Sequence, residues 1–118
     1  MVRGDDIEER LIDFAVRIIE VSQSLPKNPV GNHIQGQLLR SGTSPAPNYA
    51  EARGAESDRD FIHKLRIVLK ELNETRVWLK ITIRSNLLPA SQLDGLLDEC
   101  YQLTRIIGKS ISTVRKRM

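Results

Sequence analysis

The segment Gln37-Leu-Leu-Arg-Ser-Gly-Thr-Ser-Pro-Ala-Pro-Asn-Tyr-Ala-Glu-Ala52 keeps the hydrophobic spacing of a helix while using almost no large apolar side chains. Small residues at Ser41, Gly42, Ser44, Ala46, Ala50 and Ala52 make it a thin helix, which a neighbouring backbone can approach closely. Arg40, Asn48 and Glu51 bring charge and amide groups into the same stretch, where burial demands hydrogen-bonding partners. This combination constrains architecture far more than it constrains function.

The rest of the chain supplies the neighbours that a thin helix needs. Behind Asp5 and Asp6, which can cap a first helix, Ile7, Leu11, Phe14, Ile18, Val21 and Leu25 recur at spacings of four and three as a heptad-like stripe, which Pro26 ends. Asn28-Pro29 offers an N-cap and a first-turn proline for a second helix, with Ile34, Leu38, Ser41, Pro45, Asn48, Ala52 and Ala55 facing inward. Pro45 and Pro47 remove backbone donors and crowd the preceding turn, so a kink or interruption is expected near residues 43 to 47. Ser57 with Asp60 opens a third helix running to about Ser85, with a stripe of Phe61, Leu65, Val68, Leu69, Leu72, Leu79 and Ile83. Pro89 and Ser91, with Asp94, start a fourth whose stripe is Leu93, Leu96, Cys100, Leu103, Ile107, Ser110 and Val114.

Four helices joined by short turns predict an all-α, antiparallel up-down-up-down four-helix bundle with a kinked second helix, one domain over residues 1–118. Composition agrees: of 118 residues 40% are hydrophobic and 28% charged, with only one Trp, two Tyr and two Phe, too few aromatics for a sandwich of strands. In that bundle the acids Asp5, Asp6, Glu8, Glu9 and Asp13 lie beside the basic end formed by Arg105, Lys109, Arg115, Lys116 and Arg117. A single cysteine forms no internal disulfide, and there is neither an apolar leader nor a run long enough to span a membrane, so a cytoplasmic chain with no membrane partner is expected.

The third helix is apolar on two sides. Ile67, Trp78 and Ile81 point away from its core stripe, in company with Val77, Glu71 and Glu74, whereas Arg59, Arg66, Lys70, Lys80 and Arg84 fall along one edge. Two readings of Trp78 stay open. Either it anchors a second subunit, with Ile67 and Ile81 as the oligomer interface, or it is covered by the second helix or by a loop of its own chain. Arg40, Asn48, Glu51, Glu71 and Glu74 are expected to form a buried polar seam, with Arg76 as a further partner.

Gln37-Leu-x-Arg40, Ser44, Asn48-Tyr-Ala-Glu51-Ala, Phe61 through Leu65, Ile67, Lys70-Glu71-x-x-Glu74-Thr and Trp78-Leu79 resemble the ribosomal RNA intervening-sequence family of four-helix-bundle proteins, over about residues 14 to 110. The resemblance implies a short bundle that associates into a ring, typically a homopentamer. A related branch comprises accessory proteins of diversity-generating retroelements, basic rings that bind nucleic acid and a reverse transcriptase. Against that pattern, this chain has proline at both 45 and 47 and alanine at 52, where glycine is frequent.

Catalysis has little support in the sequence. Asp60 and His63 make one carboxylate-x-x-His pair where a di-iron bundle needs two, and neither His33 nor His63 has a Cys or His at ligand spacing, so no metal or cofactor is expected. Cys100 falls in a core stripe with no partnered base, and the glycines form no phosphate-cradling loop. Two functional classes remain. One is an oligomeric RNA- or DNA-binding module using Arg59, Arg66, Lys70, Lys80 and Arg84 on the phosphate backbone. The other is a scaffold that presents its surface to a protein partner, with no direct nucleic-acid contact.

Overall fold

A computed structural model describes residues 4–118 as five helical segments: α1 (Gly4–Ser24), α2 (Pro29–Thr43), α3 (Pro45–Arg53), α4 (Asp58–Arg84) and α5 (Ala90–Lys116). They build an elongated bundle of 48 × 22 × 19 Å in which α2 and α3 are the two halves of the kinked second helix. Asn28 accepts a hydrogen bond from the Gly31 amide at 2.8 Å and Pro29 follows it, and Ser57 accepts from the Asp60 amide at 3.1 Å, so both expected caps form. Asp5 and Asp6 lie inside the first turn of α1, and α5 starts behind Pro89 without a side-chain cap.

The kink falls at Ser44, whose backbone stays right-handed helical, so the chain bends there without a loop. Pro45 and Pro47 have no amide to return to the preceding turn, and the Ser44 carbonyl takes bonds from both the amide and the side chain of Asn48. The bend rotates the second half of the helix. Pro45, Ala46, Tyr49 and Ala52 turn inward, Asn48 is left half-buried and Glu51 faces solvent.

One continuous core joins all five segments. The α1 stripe is buried as expected from Ile7 to Leu25, and the α5 stripe is buried from Leu93 to Val114, with Ile111 taking the place expected for Ser110. On α4 the buried line is Ile62, Leu65, Val68, Leu72, Thr75, Leu79 and Thr82, while Phe61, Leu69 and Ile83 pack against its flanks. The line runs through two threonines because each returns its hydroxyl to the helix, Thr75 to the Glu71 carbonyl and Thr82 to the Trp78 carbonyl, both at 2.8 Å.

The thin helix is used for close approach on two sides. A Cβ on Gly42 would lie 2.7 Å from the Ile18 side chain of α1, and Ser41 meets Thr75 of α4. Around the bundle, α4 packs on α2, α3 and α5, and α1 packs on α2, α3 and α5, whereas α1 and α4 stand at diagonally opposite corners. Arg10 marks the register of α1 on α5, forming a two-pronged pair with Glu99 at 2.7 and 3.1 Å. That register carries the end of α5 past Gly4. Arg117 therefore pairs with Asp58 of α4 at 3.1 Å, so this terminal cation neutralises the start of α4 instead of the acidic turn of α1.

Candidate nucleic-acid interface

Arg59 and Arg66 lie on the outer face of α4 two turns apart, with His63 between them, because positions three and four apart on a helix share a face. The overhanging end of α5 brings Arg115 to the same place. Together Arg59, His63, Arg66 and Arg115 line a cleft with the buried Ile62 and the exposed Met118. Among the described residues none of these arginines is in an ion pair. Two acids flank Arg59 in sequence: Asp58 is engaged by Arg117, and Asp60 forms no ion pair among the described residues. Three guanidiniums with their donors unspent make a local site suited to an anion with several oxygens, such as a phosphodiester.

The expected basic edge is split by this geometry. Lys70 continues the face one turn beyond Arg66, and Arg84 stands in the last turn of α4, about 27 Å from Arg66 at ~1.5 Å per residue. Lys80 belongs elsewhere. It turns toward α5, where its ammonium and the Arg76 guanidinium stand 5.7 and 5.9 Å from the centre of the Tyr101 ring. Hydrogen bonding from Lys80 first, then from Arg76, holds the Tyr101 phenol below its ordinary range. Arg115 was missed in the sequence because only the fold sets the end of α5 beside the start of α4, whereas His63 shares a face with Arg59 and Arg66 by helical spacing alone and was weighed only as a metal ligand.

The polar seam is a half-exposed network, not a buried one. Arg40 reaches from α2 to both Glu71, at 3.2 Å, and Glu74, and the Trp78 indole donates to Glu74 at 3.2 Å. Asn48 closes on Ser44 within its own helix, at 2.9 Å to both the carbonyl and the hydroxyl. The Glu51 side chain is 62% exposed and has only a loose pair with Lys64 at 3.6 Å, a consequence of the rotation at Ser44. The buried polar contact lies one position along from Arg40, between Ser41 and Thr75.

Trp78 is half-buried within its own chain, packed on the core with His33 edge-on at 5.9 Å. Ile67 is also half-buried. Of the three residues expected at an oligomer contact only Ile81 is exposed, and Val77 is exposed beside it. A second apolar line, on α1, was missed in the sequence: Ile12, Val16 and Ile19, at helical spacing and pointing away from the core.

Cys100 is fully buried, its thiol donating to the Leu72 carbonyl at 3.3 Å, and burial pushes it up to about 12. A thiol so placed is neither a nucleophile nor a ligand. No group of three His, Cys, Asp or Glu able to hold a metal ion occurs among the described residues, and no helix there is long and apolar enough to cross a membrane.

Known proteins resemble this chain in sequence and in fold. The sequence profile of the 23S rRNA-intervening sequence protein matches residues 5–109. A protein of unknown function from the S23 ribosomal protein family of Bacteroides thetaiotaomicron, solved by crystallography, superposes with a TM-score of 0.84. It shares 34% sequence identity, over 89% of this chain and 97% of that one. Among curated proteins there is no match.

Proposed function

Starting from the fact that this chain belongs to the 23S rRNA-intervening sequence protein family, we propose that it is a non-enzymatic, ring-forming protein that binds the backbone of RNA or DNA. The family resemblance suggests five subunits to the ring. The observation that carries the proposal is the cleft of Arg59, His63, Arg66 and Arg115, in which the arginines are free of internal acids. No Phe, Tyr or Trp lines it and its one ring is the His63 imidazole, so the contact is mainly to phosphate, without sequence preference. Repeating one weak phosphate site around a ring raises overall affinity through effective concentration.

The test is the salt dependence of binding to generic RNA and DNA, measured by fluorescence anisotropy for the wild type and for Arg59→Glu with Arg66→Glu. Affinity should fall steeply with salt, and the slope of log affinity against log salt should shrink by about 0.9 for every phosphate that the variant no longer neutralises. Unchanged affinity in the double variant would sink the cleft as the site. A second reading, a protein-interaction scaffold, is favoured by the exposed apolar residues of α1 and α4. A chain that bound neither nucleic acid would leave the scaffold standing.

A further inference from the structure

Two apolar lines on the surface belong to helices at opposite corners of the bundle. On α1, Ile12, Val16 and Ile19 are exposed, Val16 to 48%, and Glu9, Asp13 and Glu20 run along one border of that line at helical spacing. None of these three carboxylates has an ion-pair partner among the described residues. On α4, Val77 and Ile81 are 45% and 39% exposed, and Lys70 and Arg84, likewise unpaired, stand before and after them on the same outer face. Each surface has an apolar centre with charge at both ends, acidic on α1 and basic on α4, where the acid beside Val77, Glu74, is already held by Arg40.

We infer that the outer face of α1 in one copy docks on the outer face of α4 in the next, a head-to-tail contact between two copies of this chain. The inference rests on the self-association proposed above and supplies its surfaces. Glu9 and Glu20 bracket the α1 line about 16 Å apart along the axis, and Lys70 and Arg84 bracket the α4 pair about 21 Å apart, at ~1.5 Å per residue. The long stems of lysine and arginine span that difference. Either face paired with itself would set acids against acids or bases against bases, which an interface resists. The contact is therefore heterologous, and because each copy offers both halves it propagates until a ring closes. The cleft begins one turn before Lys70, at Arg66, and runs away from the apolar pair toward Arg59 and Arg115.

Light scattering of Val16→Glu, of Val77→Glu and of their equal mixture tests this. Both substitutions are on exposed positions, and circular dichroism checks that each chain is folded. The wild type should have a multiple of the 13.4 kDa chain mass. Each variant alone should fall to the single mass, because one half of every contact is spoiled. The mixture should recover twice the single mass, since the intact α4 face of one variant meets the intact α1 face of the other. An oligomeric wild type whose variants keep its mass overturns the pairing of faces while self-association stands, and variants that separate but fail to recombine overturn the heterologous geometry. A wild type of single mass removes self-association itself.

Discussion

Thr75 of α4 and Ser41 of α2 are linked by a hydrogen bond of 2.9 Å between their hydroxyls, with both residues fully buried. Ser41 passes its own proton to the Gln37 carbonyl at 3.0 Å, so the pair is satisfied without water. Removing one partner deletes the bond between them but leaves the other hydroxyl its own carbonyl, Gln37 for Ser41 and Glu71 for Thr75. Thr75→Val or Ser41→Ala alone should each cost about 0.5 to 1.5 kcal/mol, and the two together should cost less than their sum. Urea denaturation of the four chains measures the coupling, and strict additivity would rule it out.

The closeness of α1 and α2 gives a prediction in which two glycines of one helix respond with opposite sign. Gly42→Ala places a methyl group 2.7 Å from Ile18, in a core with no room to yield, and should destabilise by about 1 to 3 kcal/mol. Gly36→Ala meets nothing within 4 Å and should stabilise by about 0.5 to 1 kcal/mol, through the lower entropy of the unfolded chain. Thermal melts that shifted the same way in both variants would contradict this account of the thin helix.

Much of the fold was legible because it rests on local signals. The α1 stripe is regular from Ile7 to Leu25, and Asn28-Pro29 and Ser57 act as caps through their own side chains. What was not legible depends on one element turning against another. The rotation at Ser44 brings Tyr49 to 4% exposure and turns Glu51 out, and no spacing rule carried across two prolines shows it. Thr75 and Thr82 were passed over because threonine counts as polar until its hydroxyl is seen to return to the helix. The cationic cleft needs the overhang of α5, a matter of how that helix is seated against α1 and α4.

The correction at Glu51 carries its own prediction. Exposed and loosely paired, Glu51→Ala should stay within about 0.5 kcal/mol of the wild type. Arg40→Ala should cost more, up to about 1 kcal/mol, since it leaves Glu71 and Glu74 facing each other without their shared cation. Trp78 is the only tryptophan and bonds to Glu74, so its emission should change in Arg40→Ala and not in Glu51→Ala. Equal stability and identical emission in the two variants would mean that the network does not hold in solution.

Alkaline pH should expose the burial of Cys100. Burial pushes its thiol from the ordinary 9.0 up to about 12, so below pH 9 the folded and unfolded chains both keep the proton and the group adds no pH dependence. Between 9 and 12 the unfolded chain releases the proton while the folded chain holds it. The thiolate then favours the unfolded state, and the stability that Cys100 contributes declines by up to about 1.4 kcal/mol per pH unit. Lysines and tyrosines also titrate there, but they are common to wild type and Cys100→Ala and cancel in the difference. Urea midpoints of the two chains should therefore converge as pH rises from about 9, with wild type the more stable at neutral pH. Profiles that stayed parallel across that range would show that the thiol titrates in the folded chain as it does in the unfolded one.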